Sequence, residues 1–564
     1  MKRRIVCLLI TAAMAAMPLT GCADNTATAQ DTSKEAEIQE EEVEAVVTEN
    51  ADNAEEEEEE SAVSSVVTKE NETVDLLDNY QVLQTKEDGS YTSDYFVETN
   101  VDTVSWGRLP NKDSEPVLTM ESGATVTIDT LSHEGILEDQ GKDPVAYFTS
   151  KGVSEDMILE DAIEIAASDL PHNFDEDGPH VITGPIYVEG AEAGDTLKVE
   201  VLSLTPRVPY GIISNRHYKG CLVDEFPENE GRLEDASAEN PEAYNNVSIF
   251  APIKQIGNDY YGYLDDGNGK ELTFKIAPFL GTMGVAANSS EKASTVPPTK
   301  QGGNLDINEL GAGSTLYLPV AVDGALFYTG DPHFSQGDGE VALTALEGSL
   351  RATLRLTVIK KGSEEVPGDN EGFDMAFGET EDYWIPIGLN EDLDEAMKMA
   401  TRESIDFLSE EFQLDRALTY AYLSATTDYE VSQVVDKTKG IHALIQKTDF
   451  SPYITTQISV GDKTFPVELV DEAYYVDAES VLTALGAEMK KDGNSYTITY
   501  QEKEYKLTVN SNIYTIPERS VVYNLSPVYI KESLYLPTAA LKDIFEIPLN
   551  YSSANGTVTG VLGY

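Results

Sequence analysis

Basic residues are scarce in this chain. Its 564 residues include 38 lysines and arginines against 101 aspartates and glutamates, a formal net charge of −63. That imbalance excludes nucleic acid as a partner, because phosphate recognition needs basic patches. It also disfavours electrostatic adsorption to anionic lipid. Cysteine is scarcer still, at Cys7, Cys22 and Cys221. The first falls in an apolar leader and the second in a modification signal, so Cys221 alone is left. One thiol excludes a disulfide framework and a zinc site made of cysteines. Beyond the leader no run of about 20 apolar residues occurs, so no transmembrane helix is expected. What is present is ordinary globular material: 41% of residues are hydrophobic, and the length suffices for several domains with cores of their own.

The N-terminus reads as an export signal. Lys2, Arg3 and Arg4 form a basic region, and Ile5 to Met17 is almost wholly apolar but too short to span a bilayer. Leu19-Thr20-Gly21-Cys22 resembles a bacterial lipobox, in which a cysteine receives diacylglycerol and becomes the new N-terminus. The expectation is a lipoprotein signal over residues 1–21, lipidation at Cys22, and an extracytoplasmic protein anchored to the cell membrane. An ordinary secretory signal cut nearby is the alternative. Residues 22–77 are low-complexity and acidic, with six consecutive glutamates at Glu55 to Glu60. Like charges repel and apolar surface is lacking, which predicts a disordered tether.

The richest stretch chemically is Ala325 to Glu340. Ala325 to Tyr328 is an apolar run that reads as a buried strand. Asp331, His333, Asp338 and Glu340 follow, spaced by Gly330, Gly337 and Gly339. In extended backbone Asp331 and His333 share one face, and Asp338 and Glu340 share one likewise. Acids and a neutral imidazole converging there can hold a divalent metal or carry out acid–base chemistry. The glycines permit sharp turns and close approach to a ligand. A polar turn with solvated acids is the alternative.

Around this stretch the pattern is strand and turn. Tyr91 to Thr130 alternates apolar and polar residues and leads into a second polar cluster, Leu131-Ser132-His133-Glu134. His180 to Gly190, Leu197 to Leu204, Ser314 to Val322 and Val341 to Ile359 also read as strands. Glu155 to Leu170 has helical spacing. Glu391 to Glu411 places Leu393, Ala396, Met397, Ala400, Ile405 and Leu408 on one helical face that should pack on the sheet. Leu414 to Ser424 reads as a second helix.

These segments resemble the acetamidase/formamidase family. The resemblance is carried by W-G-R-L-P from Trp106, T-L-S-H from Thr130, G-P-H-V-I-T-G-P-I-Y-V-E-G-A-E-A-G-D from Gly178 and P-F-L-G-T-M-G-V-A from Pro278. It continues through G-G-N-L-D-I-N-E-L-G-A-G-S-T-L-Y-L-P-V from Gly302, G-A-L-F-Y-T-G-D-P-H-F-S-Q-G-D-G-E from Gly324, the Leu393 to Leu408 helix and V-S-Q-V-V-D from Val431. It implies a mainly β fold of sandwich and barrel pieces with a few helices over residues 78–450. It implies hydrolysis of a short-chain linear amide to carboxylate and ammonia with a bound divalent metal, often Zn2+, with Ca2+ or another divalent ion as alternatives.

The implied ligands are His133, His180, Asp331 and His333, with Asp129 and Asp195 in a second tier. Glu340 is the first choice for general base and otherwise a ligand, with Asp338 beside it. Asn304 and glycine-turn amides are candidates for holding a developing oxyanion. Asp306 reads as a turn cap. The chain departs from the family pattern at Ala124, where an acid is expected, and at Ala287 to Ser290; neither change removes a ligand. Two other amidase chemistries lack support: Ser289-Ser290-Glu291-Lys292 has no glycines to expose a nucleophile, and Cys221, with Lys219 and Glu225 nearby, reads as a buried, inert thiol.

Past residue 451 the pattern changes. Tyr474 to Tyr500 parallels Leu534 to Gly560, each a strand, a short helix, a turn and a strand. This resembles the stalk domain named from the N-terminal domain of copper amine oxidases. It implies a small α+β accessory domain over residues 451–564. The stretch has no His or Cys, which argues against copper. Cell-wall contact through this domain and homo-oligomerisation are expectations open to test. The rival to the enzyme is a non-catalytic surface binding protein on a degenerate amidase fold.

Overall fold

A computed structural model describes residues 73–562 apart from 85–90, 258, 364, 369–371, 451–456, 461–462, 471–472, 518, 532, 548 and 555–556. The leader and Cys22 lie outside the described residues. So does the expected tether, except at its end. Thr73–Asp75 pairs antiparallel with Val247–Ile256, and Leu76 is buried in the core. Apolar Val74, Leu76 and Leu77 draw this segment onto the sheet, so the boundary expected at residue 77 moves to before Thr73.

The described chain is mostly β and forms four sheets. Two of them build the large domain. The first has twelve strands, and Phe327–Ser335 lies near its centre, paired with Phe279–Val285, Leu346–Glu347 and Val181–Val188. Phe279–Val285 is buried at every position. That matches its near-continuous apolar run, which has no solvent face to alternate with. The second sheet has nine strands, built on the pairing of Leu350–Ile359 with both Thr196–Pro206 and Thr125–Asp129. One apolar core draws on both sheets, with Val181, Leu280, Met283 and Phe327 from the first and Val126, Ile128, Val199 and Leu354 from the second. This is the mainly β, sandwich-like arrangement expected.

The helix Leu393–Glu411 starts where the Asp392 carboxylate accepts from the Asp394 and Glu395 amides. Its buried Ala396 and Ala400 lie against Gly388 of Tyr383–Asn390, where an added Cβ would strike the helix backbone at 2.2 Å. The second expected helix is Arg416–Thr426, capped by Asp415. The Glu155 to Leu170 region forms a 3-10 turn, Glu155–Met157, and a helix, Glu160–Ala167. No described helix is long and apolar enough to cross a membrane.

In the C-terminal region the duplicated units are visible: Ala473–Asp477 then helix Ala478–Ala484, and Ser533–Pro537 then helix Thr538–Asp543. Their first strands pair, Val476 opposite Leu536. The hairpins that follow diverge into separate sheets. Thr538 Oγ1 donates to Glu381 Oε1 at 3.3 Å, joining this domain to the large one.

Candidate metal centre and active site

Adjacent strands and the turns at their ends bring the candidate donors together. Asp331 and His333 lie on one face of Phe327–Ser335, as alternation predicts. His333 sits opposite Phe279 on one side and Glu347 on the other. His180 immediately precedes Val181–Val188, and His133 lies just beyond Thr125–Asp129. Asp306 follows Gly302–Asn304, Glu340 comes from the turn after Gly337, and Asp436 from the loop after Asp428–Gln433. All eight side chains are buried.

They form overlapping groups whose ligand atoms lie within 4.8 Å of one another: His133, His180 and Asp331; Asp306, Asp331 and His333; His333, Glu340 and Glu347; Asp306, Glu340 and Asp436. His333 Nε2 is 3.3 Å from Asp331 Oδ2 and 3.2 Å from Glu347 Oε1. His180 Nε2 is 3.6 Å from Asp331 Oδ2. Among the described residues, Asp331 Oδ1, both Asp306 carboxylate oxygens, Glu347 Oε2, His180 Nδ1 and both ring nitrogens of His133 and His333 have no hydrogen bond. Buried polar atoms are normally answered, because desolvating them without a partner is costly. Gly281 leaves the cluster open: a Cβ there would stand 2.5 Å from Asp306 Oδ1 and 2.8 Å from Asp331 Oδ2. Asp306, Asp331 and Glu340 all take left-handed backbone, at φ of 53°, 50° and 45°. L-residues seldom adopt it, and it concentrates at functional sites.

Charge is unbalanced here. Five carboxylates face three imidazoles. Burial and the neighbouring acids push Asp306 and Glu340 well above the usual carboxylate range, and burial takes Asp436 up to about 7. Burial also raises Asp331, but His180, His333 and His133 outweigh it and hold that carboxyl below its ordinary value. Burial drops His180 to about 4. For His333 burial is overcome by Glu347 and Asp331, which raise it well above the ordinary imidazole value. A buried excess of carboxylates, imidazoles and unanswered ligand atoms fit a divalent cation.

Six of the eight, all but Asp306 and His333, line a cavity of about 400 Å³. Asn304 reaches it too, but its amide is engaged: Oδ1 accepts from Thr282 Oγ1 at 2.6 Å and Nδ2 donates to Asp436 Oδ2 at 2.8 Å. Behind His133, Glu134 Oε1 lies 3.3 Å from Nε2 and is itself held by Arg216 at 2.9 Å.

Three expected site residues stand elsewhere. Asp129 is buried opposite Arg351 in the strand register and takes two hydrogen bonds from it, at 2.7 and 3.0 Å. Asp195 fixes a turn, accepting from Lys360 Nζ at 2.7 Å and from the Glu192 and Lys361 amides. Asp338 is exposed and belongs to a different group. It does not share a face with Glu340, because the strand ends at Ser335 and the chain beyond it turns through left-handed Gly339 and Glu340. Asp306, read as a turn cap, is instead a fully buried member of the cluster. Cys221 is exposed rather than buried. Glu347 and Asp436 escaped the sequence reading. Glu347 is a lone acid in the largely apolar run from Ala345 to Leu350, which is a signal, and Asp436 closes the V-S-Q-V-V-D motif.

Residues 161–290 and 277–449 match the family model described as Acetamidase/Formamidase family. The chain belongs to this family. An acetamidase of Mycolicibacterium smegmatis is 30% identical over 228 residues, 33% of this chain and 55% of that one. A formamidase of Methylophilus methylotrophus is 29% identical over 255 residues, 39% of this chain and 61% of that one. The chain therefore spans 55% to 61% of the length of these curated relatives. Among solved structures, an acetamidase from Bacillus halodurans aligns with a TM-score of 0.47 at 24% identity, covering 63% of this chain and 99% of that one. Residues 460–559 match the Copper amine oxidase N-terminal domain. Within the acetamidase/formamidase match lie seven of the eight clustered donors; His133 precedes it.

Proposed function

We propose that this acetamidase/formamidase family member is a metal-dependent hydrolase of short linear amides, giving carboxylate and ammonia. The observation that carries the reading is the buried cluster of unanswered carboxylates and imidazoles on the cavity wall. His133, His180, Asp331 and His333 would hold the ion, with Asp306 and Glu347 within reach of the same atoms. Their imidazoles favour Zn2+, whereas Ca2+ would draw on the carboxylates. When bound, such an ion polarises the amide carbonyl and lowers the pKa of water.

The chain's own groups manage protons and position. Glu340, on the cavity wall, would take a proton from the attacking water, once a cation offsets the neighbouring acids that raise its carboxyl, and return it to the departing nitrogen. Water oxygen joins the carbonyl carbon, the C–N bond breaks, and nitrogen leaves as ammonia. Asn304 holds Asp436 in place and keeps one further N–H for the substrate oxygen. A cavity of about 400 Å³ suits a small amide.

The same reading places the enzyme outside the cell, lipid-anchored at Cys22, with the C-terminal domain as a stalk. The test is ammonia release from formamide, acetamide and propionamide by the full chain, metal-loaded and chelator-stripped. The hydrolase reading expects turnover only when loaded. Full metal occupancy without ammonia from any of the three would leave the binding-protein alternative.

A further inference from the structure

Beside the buried centre lies a smaller group that the hydrolase reading does not use. Glu309, Asp338, Glu430 and His442 each place a ligand atom within 4.8 Å of the others. Glu309 comes from the segment just past Asp306 and Asp338 from the turn just before Glu340. Glu430 and His442 lie opposite each other on the paired strands Asp428–Gln433 and Lys439–Gln446.

His442 gives the group its direction. It is fully buried, between core residues Ile441 and Ala443. Its Nδ1 is 2.8 Å from Ser432 Oγ, a contact that fixes the ring. Nε2 then points at the acids, 3.1 Å from Glu309 Oε2 and 3.6 Å from Glu430 Oε2. Neither Nε2 nor Glu309 Oε2 has a hydrogen bond. Two such atoms close together but not aligned for a hydrogen bond are placed as two ligands of one ion are placed.

A proton on Nε2 would balance only one of three carboxylates. Among the described residues no lysine or arginine forms an ion pair with Glu309, Asp338 or Glu430; Asp338 accepts from a neutral amide, Asn308 Nδ2 at 3.1 Å. Three carboxylates and one imidazole, its far nitrogen held by a hydroxyl, form a ligand set for a divalent transition metal.

We propose that Glu309, Asp338, Glu430 and His442 bind a second divalent metal ion, separate from the central cluster. An ion here would clamp the three segments that present Asp306, Glu340 and Asp436. Those segments are already laced together: Gln336 Nε2 donates to the Asp306 and Ser432 carbonyls at 3.1 and 3.0 Å, and the Gly339 amide donates to Ser432 O at 3.2 Å.

The test is Zn2+ titration of the stripped full chain, with bound metal counted by elemental mass spectrometry. Glu430→Gln and His442→Gln should each lose one equivalent relative to wild type. Asp331→Asn, in the centre, should lose a different one, so that Asp331→Asn combined with Glu430→Gln loses both. Because Glu430 is only half-buried, its variant keeps the test open if His442→Gln misfolds. Equal stoichiometry and affinity within twofold for wild type and Glu430→Gln would overturn the proposal.

Discussion

Asp129 and Asp331 are both buried aspartates on strands of one domain, and they meet opposite fates. Asp129 faces guanidinium: Arg351 grips it with two hydrogen bonds, and Arg207 stands 3.8 Å away. The ion-pair partners of Asp331 among the described residues are imidazoles, another acid, Asp306, stands beside it, and one of its oxygens is unanswered. Residue type and burial are the same, so neither identifies a ligand. What separates them is the counter-charge. An acid closed by arginine is finished as structure, whereas one that faces imidazoles, which can give up a proton to become ligands, is left open to a metal cation. Asp195 repeats the first case nearer the surface, with Lys360 in place of arginine.

The comparison can be broken by exchanging the two fates. Asp331→Ala should cut amide turnover by roughly 10⁴-fold, about 5 kcal/mol of barrier, and strip metal while circular dichroism stays native. Asp129→Ala should do the reverse: a loss of about 3–5 kcal/mol in denaturant unfolding, because buried Arg351 loses both carboxylate hydrogen bonds while Arg207 keeps only Asp161 as an acidic partner, with unchanged metal per folded molecule. If Asp129→Ala instead loses metal at full stability, counter-charge is the wrong criterion.

Smaller changes sharpen it. Gly281→Ala would put a methyl group between Asp306 and Asp331. Metal affinity by competition with a chromophoric chelator should fall about 10–100-fold, as for other disturbances of ligand position. Asn304→Ala frees Asp436 and should lower kcat by about tenfold at unchanged metal content. The smallest effect belongs to Asp195→Asn. Burial raises this carboxyl, but Lys360 and two backbone amides outweigh it and hold it below its ordinary value. Its contribution is therefore present above the ordinary carboxylate range and lost as pH falls through its lowered value. Asp195→Asn should slightly lower thermal stability at pH 7, and the difference from wild type should vanish in acid.

Much of the fold was legible because it is local. Strand alternation put Asp331 and His333 on one face, and periodicity over Glu391 to Glu411 gave the Leu393–Glu411 helix to within two residues. Duplication in the C-terminal domain was legible for the same reason. Alternation failed at Asp338 and Glu340, which lie beyond the end of the strand at Ser335. Asp306 does sit in turn-like backbone, at φ 53°, so that part of its reading was right. What the sequence could not show is that the turn is buried against Gly281 and Asp331. Glu347 sits on a two-residue strand, too short for any period to register. Arg351 lies 222 positions from Asp129, so the pairing that removes Asp129 from the ligand set exists only in the sheet register.

The central claim is that the acids left without a cationic side chain hold metal. Elemental mass spectrometry on the purified full chain, beside Asp331→Asn and Asp129→Asn, tests it most directly. Bound divalent metal is expected in wild type, retained by Asp129→Asn and reduced by at least one equivalent in Asp331→Asn. A folded wild-type chain that carries no metal and takes up none on titration would contradict it.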